Sequence, residues 1–279
     1  MAENTRLKLI FCTLLLSLFS FLQKANAQIV NIEEERVKRD SSNYLTGKIG
    51  LDFSMYNQNA GENNPNNYLQ LTFDGDIAYF SKQHSYLLLN YVNYLLVNYT
   101  SSSQRNAVAS TGYSHLRTNL FRKRKLSYEL FAQVQADKAR GLELRTLGGA
   151  YLRLEILRNK ENVDVFFGTG LMHEHEEWEM PEEEDIIRTS DLLKSTNYVS
   201  AKAKLNENVE TNAIVYYQTG YAESIDKFRN RVSGDISLSV KVYKSLTLKT
   251  GFTCVYEDEP IVPVTRFVYS ITNGVAVQF

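Results

Sequence analysis

The sequence predicts an all-β chain: a closed antiparallel transmembrane β-barrel of about twelve strands that follows a cleaved signal peptide. Three observations predict it. Apolar and polar residues alternate through almost the whole chain after residue 43. Short and long polar connections alternate between the apolar-periodic segments. Beyond the amino-terminal segment, no stretch approaches the roughly 18 consecutive apolar residues of a spanning helix. A chain of this pattern that enters a membrane must do so as a closed sheet, because lipid offers no partners to unpaired backbone groups.

The amino terminus carries Arg6 and Lys8, an apolar run Leu9–Leu22, and Ala25-Asn26-Ala27 before Gln28. That order of basic, apolar and small residues reads as a secretory signal peptide over residues 1–27. Cys12 lies within the apolar run and the remaining cysteine is Cys254, so the exported chain has no internal disulfide to make. The signal holds three basic residues and one acid out of 31 basic and 32 acidic, which leaves 28 and 31, about −3. No basic excess is available to hold nucleic acid. Residues 28–43, QIVNIEEERVKRDSSN, are polar and mixed in charge. They form a periplasmic lead-in, or a short helix that caps or enters the barrel, before a barrel domain over 44–279.

The first strand sets Leu45, Ile49, Leu51, Phe53 and Met55 against Lys48, Asp52 and Ser54. Side chains alternate across a strand, so one face is apolar and the other charged. Leu69, Leu71, Phe73, Ile77 and Tyr79 oppose Gln70, Thr72, Asp74 and Asp76 in the second. Leu126–Asp137, Leu142–Leu157 and Arg231–Tyr243 read alike, whereas Leu87–Tyr99, Gln104–Phe121 and Val209–Tyr221 alternate less cleanly. In Ser245–Glu257 the apolar row includes Cys254, which makes it a small lipid-facing residue and not a nucleophile. The last segment, Arg266–Phe279, has Phe267, Tyr269, Ile271, Val275, Val277 and Phe279 on one face. Many aromatics, among them Tyr56, Phe80, Tyr99, Phe121, Tyr221 and Tyr243, fall toward segment ends, where interfacial girdles place them.

Short turns are expected at Lys82-Gln83, Lys123-Arg124, Asn159–Glu161, Asn206–Asn208 and Lys244. Longer connections are expected at Asn57–Asn66, Thr100–Arg105, Lys138–Gly141, Glu174–Arg188, Glu223–Arg229 and Glu257–Val264. Tight periplasmic turns and larger outside loops produce this asymmetry, and an even strand number brings both ends of the barrel to the periplasm.

The segment Tyr128–Leu157, with Phe131-x-Gln133, Arg145-Thr146-Leu147-Gly148-Gly149 and Leu152-Arg153-Leu154, resembles the salt-induced outer-membrane protein family, domain of unknown function 481. SHLRTNLF and the QIVNIE start share the resemblance, while Ala150-Tyr151 departs from it. The resemblance implies a monomeric barrel in the outer membrane of a Gram-negative bacterium, induced by salt or osmotic stress, with no assigned activity or cofactor. Its partners would be membrane lipid and lipopolysaccharide, and the barrel-assembly machinery, through the strand that ends at Phe279.

With the apolar rows outward, the polar rows predict a lumen network of Lys48, Asp52, Asp74, Asp76, Arg117, Glu129, Glu143, Arg145, Arg153, Glu155, Asp235 and Lys241. The signs nearly balance, so paired charges are expected to fill the interior. A narrow channel is the alternative; strong selectivity would need a ring of one sign. His173 and His175 point the same way on a strand among Glu174, Glu176, Glu177 and Glu179, a weak candidate for zinc in an acidic outer loop that attracts cations.

Catalysis has little footing. In His84-Ser85 and Ser114-His115 the adjacent side chains take opposite faces, so neither pair makes a dyad. An outer-leaflet lipid-modifying or proteolytic site could draw on His173 or His175 with Asp185, but nothing in the spacing fixes it. Gly168-Thr169-Gly170 reads as relief of crowding within a strand, and Asn98-Tyr99-Thr100 matches a glycosylation acceptor only formally.

Overall fold

A computed structural model describes residues 43–59, 65–99, 107–160, 162–181, 186–243 and 246–277. The signal peptide, nearly all of the 28–43 lead-in, and Phe279 lie outside the described residues. The strands are β1 (Tyr44–Asn59), β2 (Pro65–Phe80), β3 (Ser85–Tyr99), β4 (Ala107–Leu120), β5 (Leu126–Asp137) and β6 (Leu142–Lys160). After them come β7 (Val163–Glu179), β8 (Ile187–Asn206), β9 (Val209–Ala222), β10 (Lys227–Tyr243), β11 (Leu246–Glu257) and β12 (Phe267–Val277). They form one twelve-stranded sheet in chain order, every neighbouring pair antiparallel. A single turn of 3-10 helix, Lys138–Arg140, joins β5 to β6 and ends on Gly141, whose φ of 79° lies in the left-handed region.

Alternation sorts the two faces as the sequence predicts. Leu45, Ile49, Leu51, Phe53 and Met55 project outward from β1, as do Val232, Ile236 and Leu238 from β10 and Phe267, Tyr269 and Ile271 from β12. The opposite face is buried and mostly polar in the middle of the sheet, including Arg117, Glu129, Arg145, Glu174 and Lys194. Such an inversion of the usual globular arrangement, oil outside and charge inside, is what a hydrocarbon solvent demands.

The sheet curls strongly. Arg117 on β4 reaches the Tyr216 hydroxyl on β9 at 3.4 Å, and Tyr198 on β8 donates to Glu129 on β5 at 2.9 Å. An apolar cluster containing Phe131, Tyr151, Tyr198, Ile214 and Tyr216 fills the concave side. Gly168 is required there: a Cβ at that position would stand 2.1 Å from the Tyr198 ring.

Two expectations are corrected. Among the described residues no ladder joins β1 to β12, so the sheet is curled but not closed. The two charged layers run from β4 to β11, β2 and β3 reach the apolar cluster through Ala78, Phe80, Leu87 and Leu89, and on the inner face of β1 Tyr44 packs on that cluster while Lys48 is exposed. Without hydrocarbon around it, a seam would gain only about 1 kcal/mol per backbone bond, because water serves the open edges nearly as well. The second correction concerns Glu174–Arg188, expected as an outer loop. β7 continues to Glu179 and β8 begins at Ile187. Every residue from His173 to Glu177 is polar, so the period of two is invisible in hydropathy there.

Candidate functional site: a charged interior

Two layers of paired charge stand on the concave face. The layer nearer the long-connection end is built from β6, β7, β8, β10 and β11. Glu174 accepts from Arg145 and Lys194, and from Arg231 at 3.3 Å. Glu176 meets Arg145 at 3.2 Å, Arg231 at 2.9 Å and Arg229 at 3.1 Å. Glu257 closes the set with Arg231 at 2.7 Å and Arg229 at 2.5 Å. Each carboxylate serves at least two cations, so none of these charges is buried alone.

The second layer centres on Glu129 of β5. Its oxygens accept from Asn119 at 3.1 Å and Tyr198 at 2.9 Å, with Arg153 at 3.5 Å and Arg117 at 3.8 Å. Arg117 also stands over the rings of Phe131 and Tyr151, at 5.4 and 5.1 Å from their centroids, and Arg153 lies 3.6 Å over Phe166. Aromatic faces therefore carry part of the positive charge that one carboxylate cannot match.

Between the layers runs a relay of side chains. His115 Nδ1 is 2.9 Å from Gln133 Oε1, Gln133 donates to Gln135 at 2.9 Å, and Arg145 donates to Gln135 at 3.3 Å. In that arrangement the imidazole donates from Nδ1.

A lid covers the long-connection end. The β11–β12 connection folds back so that Val262 packs with Leu142 and Trp178, all at most 2% exposed. Arg229 donates to the Glu259 carbonyl at 2.8 Å, Asn230 to Asp258 at 2.6 Å, and Lys227 to Glu259 at 3.0 Å. Arg140 bonds the Thr265 carbonyl at 3.4 Å and sits over the Trp178 ring. Burial lowers the Arg140 pKa, and nearby Asp137 opposes the shift.

The residues singled out from sequence separate into three groups. Arg117, Glu129, Arg145 and Arg153 are buried in the two layers. Lys48, Asp52, Asp74, Asp76 and Asp235 share the same face at its margin, with Lys48 and Asp74 paired at 3.0 Å. Glu143, Glu155 and Lys241 stand apart at bulges near the strand ends. Glu143 pairs with Lys138 at 3.0 Å, Glu155 with Arg158 at 2.9 Å, and Lys241 is exposed. Glu174, Glu176, Lys194 and Glu257 were missed as interior groups, although even spacing along β7 would have paired Glu174 and Glu176 with Met172 and Trp178.

His173 and His175 face outward. His175 is held by Asp191 at 2.8 Å and Glu177 at 3.1 Å, and His173 stands 3.9 Å from Asp191. Among the described residues no group of three or more His, Cys, Asp or Glu is placed to hold a metal. Ser114 donates outward to Asn90 at 2.7 Å while its neighbour His115 points in.

No family model and no curated protein matches the chain. Among solved structures, the chain is similar to the β domain of the Bordetella autotransporter BrkA, at 10% identity and a TM-score of 0.34, over 86% of this chain and all of that one. It is also similar to an anion-selective porin from Comamonas acidovorans, at 10% identity and a TM-score of 0.29, over 85% of this chain and 98% of that one.

Proposed function

We propose that the protein is a monomeric outer-membrane β-barrel of a Gram-negative cell envelope, sealed to solute flow by its own interior. The observation that carries this reading is the ion-paired layer of Arg145, Glu174, Glu176, Lys194, Arg229, Arg231 and Glu257, capped by Val262. Groups so paired and desolvated stay put on the timescale of ion passage, and a permeant ion would have to displace them. The outward apolar rows support insertion in lipid, and there the seam between β1 and β12 gains its strength: each unpaired backbone group in hydrocarbon costs several kcal/mol. Membrane lipid, lipopolysaccharide and the assembly machinery are its partners in this reading, and its role is structural, not enzymatic. A link to salt or osmotic stress rests on the resemblance of Tyr128–Leu157 to the salt-induced family.

Planar-bilayer recording of the refolded protein tests the seal. Silence at moderate voltage is the expected result. Steady open-channel current would overturn the reading in favour of a narrow pore.

A further inference from the structure

Between the two charged layers lies a cavity with an unbalanced lining. Arg117, Arg145 and Arg231 border it, with His115, Gln133 and Gln218, and none of the described residues that line it is a carboxylate, the glutamates paired with those arginines standing behind them. The room it leaves to water-sized spheres is about 60 Å³, enough for a few waters or one small anion. Arg231, only 5% exposed, satisfies its terminal nitrogens with Glu174, Glu176 and Glu257 but leaves Nε without an acceptor. The Gln218 carbonyl oxygen is likewise buried without a donor; a flip of that amide would turn its two N–H donors into the space.

The charge count of the interior agrees. Among the described buried side chains there are six cations, Arg117, Arg145, Arg153, Lys194, Arg229 and Arg231. Opposing them are five carboxylates, Glu129, Asp137, Glu174, Glu176 and Glu257. Among these fully buried groups the cations exceed the carboxylates by one, and the half-buried Asp74, Asp76 and Asp235 stand at the margin of the same face, outside the lining of the cavity.

We infer that this cavity is a binding site for one small monovalent anion, held by Arg117, Arg145 and Arg231 between the two carboxylate layers. Planar oxyanions of nitrate size suit the flat guanidinium donors. The site is occupied during folding and stays with the barrel, so it does not depend on the lumen's being open or sealed.

The test refolds the full chain in detergent at constant ionic strength, with nitrate replacing gluconate, which is too large for the space. Thermal unfolding should shift upward saturably, by roughly 3–6 °C once nitrate exceeds its dissociation constant about tenfold. Gln218→Glu places a carboxylate on the wall without touching the ion-paired layers and should abolish the shift. Ser233→Asp serves the same purpose should that variant fail to fold. An unchanged midpoint for the unsubstituted protein, or an equal shift in the variants, would overturn the site. Crystals of protein refolded in bromide give an independent reading: an anomalous peak among the three guanidiniums is expected, and its absence at full bromide would dismiss the proposal.

Discussion

Glu174 is the residue on which the interior turns. It accepts from Arg145, Lys194 and Arg231, and removing its charge leaves four buried cations, these three and Arg229, with only Glu176 and Glu257 in that layer. Glu174→Gln should therefore destabilise the folded protein by about 3–5 kcal/mol, the cost of breaking a buried pair from one side. Its chain neighbour His175 faces outward and is held only by exposed partners, so His175→Ala should change stability by no more than about 0.5 kcal/mol. Urea unfolding of the detergent-folded variants measures both, and similar values for the two would contradict the assignment of faces. That difference was hard to read from sequence. HEHEEWE contains no hydropathy contrast, so only counting by twos back from Trp178 separates the inward glutamates from the outward histidines. Where the contrast was strong, as in Leu45 to Met55 against Lys48 and Asp52, the faces were legible directly.

At the scale of elements, the β11–β12 connection behaves as an internal piece of the fold. Its Val262 is buried with Leu142 and Trp178, and Trp178 is the single tryptophan of the chain. Val262→Asp would put a carboxylate into that contact, and an unpaired buried charge is expelled more readily than accommodated. Trp178 emission should move to longer wavelength and become open to an aqueous quencher such as iodide, while the strand content seen by circular dichroism stays unchanged. Unaltered emission would mean that the lid holds by its polar ties to Arg229 and Asn230 alone. The sequence marks this segment as a long polar connection through Glu257-Asp258-Glu259-Pro260. It does not show the return path, because Ile261 and Val262 are too few to register as a buried stretch.

For the whole molecule, strand number, order and the alternation of short with long connections were all visible in the sequence, because each repeats many times. Closure was not, since it depends on what surrounds two edges and not on any residue pattern. If lipid drives the seam, cysteines at Ser54 and at one of Ser270, Thr272 or Gly274 should cross-link in vesicles, in a Cys254→Ser background. A single register should dominate, and the same pairs should react more weakly in detergent-free water or urea. Failure of every pair in vesicles would leave the sheet open there too, and the sealed-barrel reading would fall with it.

Among the described residues the two charged layers tie together strands from the fourth to the eleventh, while the second and third join the concave side through Ala78, Phe80, Leu87 and Leu89 and the first through Tyr44 near its start. Amide hydrogens should report this directly: exchange with deuterium should be slowest in the ribbons bearing Glu174, Lys194 and Arg231, and fastest in those bearing Phe53 and Ile271. Such a gradient would make the molecule a rigid trough with two compliant flanks, whose margins can part or meet while its centre stays unchanged.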